Sequence, residues 1–112
     1  MSQSREERIG LNEAVFREVN ERIETLAKGF DLGSQPLDLI CECGEAACVQ
    51  RIQMTYAEFE ELRSDSHTFA IYPGHDIPDV ESVVARRGGY DIVRKDRGIP
   101  QEVAERTDRR AH

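Results

Sequence analysis

A chain of 112 residues with 38% hydrophobic and 6% aromatic side chains and no Trp has the length of one domain and few large core groups, so a metal cross-link would add usefully to its stability. Its net charge of −7 argues against generic binding to the polyanionic phosphates of nucleic acid. The longest apolar runs are a few residues, as in Val83-Val84-Ala85, against the roughly 20 needed to span a bilayer. The start, MSQSREERIGLNE, lacks the basic-then-apolar order of a signal peptide, and a cytoplasmic protein without a membrane segment is expected.

From Leu11 to Lys28 the residues Leu11, Val15, Val19, Ile23 and Leu26 recur at helical spacing, widened by Phe16 and Ala27, and predict a helix. Glu13 with Arg17, Glu18 with Arg22 and Glu24 with Lys28 are acid-before-base pairs four apart, the favourable order on a helix. Gly29 supplies a stop. Ser4-Arg5-Glu6-Glu7 has capping-box form and allows an earlier start, although Gly10 weakens that extension. The stripe reads as a core-packing face, or else as the seam for a partner helix.

Asp31 to Pro36 is expected to be a loop, Leu37 to Cys43 extended, and Val49 to Met54 a short strand. Thr55-Tyr56-Ala57-Glu58 is a capping box that opens a helix to about Arg63, with Tyr56, Phe59 and Leu62 inward and Glu58, Glu60 and Glu61 toward water. His67 to Tyr72 reads as a strand. Tyr72-Pro73-Gly74-His75 suits a type II turn, with Pro second and Gly third. From Val80 the pattern ESVVARR-GG-YDIVRK predicts a β-hairpin. Its Arg86, Arg87, Arg94 and Lys95 form the one basic cluster, read as a solvated face. Residues 98–112 are polar and are expected to form a flexible C-terminal tail, which leaves residues 1–97 as a single zinc-binding domain.

All three cysteines fall in Cys41-Glu42-Cys43-Gly44-Glu45-Ala46-Ala47-Cys48. Residues two apart on an extended segment face the same side, so Cys41 and Cys43 can address one ion. Gly44 permits a reversal that returns Cys48. Three thiolates suit Zn²⁺, whose structural sites are closed and tetrahedral, and a fourth ligand is needed. His75, fixed by the Pro-Gly turn, is the best candidate, with Asp76 placed to orient its ring and His67 as the fallback. Glu42 and Glu45 suit a surface loop better than a core, which counts against ordinary buried thiols. An odd cysteine count in a reducing compartment disfavours disulfides. Iron–sulfur clusters usually take four cysteines, and no Met-rich feature supports copper(I).

No GxSxG, HExxH, P-loop or GxGxxG pattern is present, and three thiolates blunt the metal's power to polarise water. The HxE and PCxxC of the zinc deaminases are missing as well. Enzyme activity is therefore the minority expectation.

The segments NEAVFREVNERI, CECGEAAC, IQMTYAEFEELR and FAIYPGH, with the closing hairpin, together resemble a group of small, mostly actinobacterial proteins of uncharacterised function. The resemblance runs from about Asn12 to Lys95. It implies that the cysteine cluster and the Pro-Gly-His element occur together and share a metal site.

The expected architecture is α+β: a long N-terminal helix on a small, mainly antiparallel sheet, one short second helix, and a zinc site joining Cys41, Cys43 and Cys48 to His75. The expected role is a non-enzymatic regulatory or protein-interaction module that contacts another protein, or a second copy of itself, through the N-terminal helix. A thiol or zinc redox sensor is the alternative, and a metal-dependent hydrolase comes after it.

Overall fold

The computed structural model describes residues 3–29 and 35–111. The expected loop at 31–36 therefore lies mostly outside the described residues. The fold is α+β, with the order α1 (Arg5–Gly29), β1 (Leu37–Ile40), β2 (Arg51–Met54), α2 (Tyr56–Arg63), β3 (Thr68–Ile71), β4 (Glu81–Arg86), β5 (Asp91–Lys95), α3 (Ile99–Arg106) and a 3₁₀ turn at Arg109–Ala111. Among the described residues no helix is long and apolar enough to cross a membrane.

Where one sheet was expected there are two. Strands β1 and β2 form an antiparallel pair, with Leu37 opposite Met54 and Leu39 opposite Ile52. Period-two alternation sends these four inward, all 3% exposed or less, and leaves Asp38 and Arg51 to pair at 2.8 Å on the wet face. The second sheet has the order β3-β5-β4, antiparallel throughout. The β4–β5 hairpin turns at Gly88, whose φ of 88° suits glycine, and carries a bulge between Val83 and Ala85. Helix α2 starts at the reciprocal capping box: Glu58 N donates to Thr55 Oγ1 at 3.1 Å and Thr55 N to Glu58 Oε1 at 2.8 Å. It lays Phe59 and Leu62 on the β1–β2 core with Leu37, Leu39, Ile52, Met54, Ala70 and Tyr90.

Two expectations are corrected. The segment after 97 is not a frayed tail. It forms α3, opened by Pro100 in its first turn, and its buried Val103 and Ala104 pack on the sheet and on α1. The close α1–α3 approach explains Gly10, since a Cβ there would stand 2.7 Å from Val103 Cγ1. Helix α1 accordingly runs unbroken from Arg5, with Ser4 Oγ accepting from Glu7 N at 3.1 Å.

The second correction concerns the orientation of α1. Val15, Val19 and Leu26 of the apolar stripe are exposed at 59%, 38% and 62%, whereas Glu13, Arg17, Asn20 and Glu24 are buried. The polar face turns inward because Glu13, Arg17 and Asn20 each meet a complement there. Lys95 Nζ donates to Glu13 Oε1 at 2.6 Å and to Glu81 Oε1 at 2.9 Å. Arg17 donates to the carbonyls of Ser66 and Ala104, each at 3.0 Å, and lies 4.7 Å above the Phe69 ring. Burial holds the Glu13 carboxyl well above its ordinary range, against the pull of Lys95.

Candidate metal centre

Cys41, Cys43, Cys48 and His75 converge, with one ligand atom from each lying within 4.8 Å of all the others. These four form a group able to hold a metal ion. His75 Nδ1 is 3.7 Å from Cys41 Sγ and 3.6 Å from Cys48 Sγ. Tetrahedral zinc, with Zn–S near 2.3 Å and Zn–N near 2.0–2.1 Å, would separate sulfur from nitrogen by roughly 3.5 Å. The donor set and its spacing therefore fit that ion.

The scaffold comes from three local structures. Cys41 extends β1, its N–H donating to Gln50 O at 3.0 Å, and the next residue crosses to the other sheet, where Glu42 N donates to Ala70 O at 2.9 Å. Cys48 returns through a tight turn, its N–H donating to Glu45 O at 3.0 Å. His75 closes the predicted type II turn: its N–H donates to Tyr72 O at 3.0 Å, and Gly74 has φ of 85°. Gly44 serves the site differently from the way its place in the sequence suggests. A Cβ there would run into Ile9 of α1, so glycine is required by that approach, while Asn12 Nδ2 fastens the Gly44 carbonyl at 3.0 Å.

Cys41 and Cys43 are each 2% exposed, and Cys48 is half-buried. The Cys41 thiol is held below its ordinary range by its hydrogen bond with Cys43 and by the N–H of Tyr72, against burial. The same hydrogen bond, together with burial, pushes Cys43 up. The two thiols are thus pushed in opposite directions by one contact, at the position where a cation would displace their protons.

Glu42 overturns the expectation of a surface loop. It is 0% exposed, because the alternation that turns Cys41 and Cys43 toward the metal position turns Glu42 to the opposite side. There its carboxylate accepts from Asn20 Nδ2 at 2.7 Å, Arg63 Nη2 at 2.7 Å and Ala70 N at 3.0 Å. Asn20 also pins the neighbouring strand, donating to Ile40 O and accepting from Ile40 N, each at 2.9 Å. Sequence reasoning missed Glu42, Asn20 and Arg63 as supports of the site. The available signals were the alternation of the CxC segment and the position of Arg63 four residues after Phe59, on the buried face of α2.

The remaining candidates lie elsewhere. His67 is not in the cluster: Nε2 meets Glu105 Oε1 at 2.6 Å and Nδ1 meets Arg94 at 3.2 Å. Asp76 makes no hydrogen bond to the His75 ring among the described residues, and that ring instead has Tyr72 at 5.2 Å between centroids. The basic cluster is dispersed. Arg86 pairs with Asp91 at 3.0 Å, Arg94 with Asp65, and Lys95 is buried. No protein-family model, curated protein or solved structure matches the chain.

Proposed function

We propose that the protein is a cytoplasmic zinc protein with a structural Cys₃His centre, serving as a non-enzymatic regulatory module that acts by contact with another protein. One observation carries this reading: three thiols and one imidazole, drawn from segments 27 or more residues apart, converge at tetrahedral spacing. Zinc held there would cross-link the CxC segment to the Pro-Gly-His turn and so add folding free energy. Four protein donors leave no coordination position for a water, which speaks against hydrolysis.

Elemental analysis of the wild type beside His75→Ala tests the reading. The expected result is one zinc per wild-type chain and weakened retention in the variant. A metal-free, stably folded wild type would overturn it.

A redox-sensing role is the second reading, favoured by the partial exposure of Cys48 beside two buried thiols. A peroxide would oxidise two thiolates to a disulfide, be reduced to water, and release the ion. Zinc retained through mild peroxide treatment would exclude it.

A further inference from the structure

Helix α1 is amphipathic in the reverse sense. At 100° per residue, Glu13, Arg17, Asn20 and Glu24 share the inward side, while Leu11, Val15, Val19, Arg22 and Leu26 share the opposite one. A row of exposed apolar side chains on one helix face is the usual mark of a contact surface. The row has the two-fold symmetry of exposed apolar groups and of charge that a second copy could match.

Its two halves differ in shape. Toward the C-terminal end, Ile23, Leu26, Ala27, Pro36 and Leu37 line an open, mainly apolar groove of about 320 Å³. Toward the N-terminal end, Val15 stands out at 59% exposure, while Leu11 is half-buried. A two-fold axis crossing the helix between Asn20 and Glu21 would set Val15 of each copy level with Leu26 of the other, at the mouth of that groove.

The charges follow the same symmetry. Of the acids between Leu11 and Leu26, Glu13 and Glu24 turn inward and Glu21 is held by Arg110 at 2.9 Å. Glu18 alone of these flanks the row, 3.5 Å from Arg22 and 3.6 Å from Arg109, each pair partly open to solvent. The same axis brings Glu18 of one copy beside Arg22 of the other, twice. The acidic excess that would oppose self-association elsewhere on the chain is thus absent along this seam.

We propose that a second copy of this chain packs antiparallel on the outward face of α1. The seam from Leu11 to Leu26 is about 22 Å long and one helix, about 10 Å, wide, roughly 220 Å² against the roughly 800 Å² per partner of a standard stable interface. The dimer is therefore weak and concentration-dependent. It stands on α1 alone and does not depend on the metal reading.

Sedimentation equilibrium of the full chain over a range of concentrations tests it. The mass should rise from one chain toward two, and Val15→Asp should hold it at one chain with an unchanged circular dichroism spectrum. Glu18→Arg and Arg22→Glu should each weaken self-association by roughly tenfold through like-charge contacts. An equimolar mixture of those two variants should regain the two-chain mass, an effect that pairing within one helix cannot produce. A wild type that stays at one chain, a dimer untouched by Val15→Asp, or a mixture no tighter than its components would overturn the proposal.

Discussion

Glu42 and Arg63 form a salt bridge closed to solvent, Oε1 to Nη2 at 2.7 Å, with side chains 0% and 2% exposed. It lies directly behind the two cysteines that face the metal position. Removing one partner of such a pair strands a buried charge and costs about 3–5 kcal/mol. Glu42→Ala should lose stability of that order in urea denaturation. In variants that stay folded, such as Glu42→Gln, zinc affinity measured by chelator competition should fall by about 10–100-fold, as for other residues that orient ligands.

Lys95 sits between Glu13 and Glu81, and all three side chains are 1% exposed or less. Lys95→Met leaves the buried Glu13–Glu81 pair without its counter-charge and should cost about 3–5 kcal/mol in urea denaturation. Replacing the triad together with apolar residues of similar volume should recover most of that loss, because no buried charge is then left to desolvate. Recovery no better than the single variant would show that the triad contributes net stability.

Gly10 inside α1 tests packing against helix propensity. Alanine is favoured over glycine by about 1 kcal/mol in a helix interior, yet its Cβ would meet the stiff, β-branched Val103. Overpacking of this kind costs about 1–3 kcal/mol. Gly10→Ala should therefore melt below the wild type, and adding Val103→Ala should relieve the clash, read as a non-additive double-mutant cycle.

The Tyr90 phenol is pushed up to about 12 by burial and by the neighbouring Glu58. With the folded value above the unfolded value of 10.0, its contribution to stability is complete below that pH. It is lost as pH rises through 12. The stability difference between wild type and Tyr90→Phe should shrink across this window in alkaline denaturation, and a constant difference would assign the shift elsewhere.

Local signals carried much of the fold. The Thr55–Glu58 box, the Pro73-Gly74 turn and the Gly88 hairpin each depend on a few adjacent residues and occur where their chemistry requires. The four metal-site candidates were readable because the spacing of Cys41 and Cys43, and the turn before His75, are local geometry. The direction in which α1 faces was not local. Val15, Val19 and Leu26 give a correct helical period, but the partners that draw Glu13, Arg17 and Asn20 inward are Lys95, Ala104 and Ile40, remote in sequence. The C-terminal helix was obscured by its polar composition, although Pro100 followed by Val103-Ala104 is a short helix with one apolar edge.

The four donors of the candidate metal centre are divided unequally. Three come from the loop joining β1 to β2, and one comes from the turn after β3. Among the described residues the two sheets share no ladder, and a short run of bonds joins them: Glu42 N to Ala70 O, Ala70 N back to Glu42 Oε1, and Tyr72 N to Cys41 Sγ. A bound ion would therefore act as a rivet beside this joint, adding to the apolar contacts of Ala70 and Tyr90 with the β1–β2 core. Stripping the metal should first loosen this joint, so that amide exchange quickens in the 40–50 loop and around Tyr72 while the shared core remains protected.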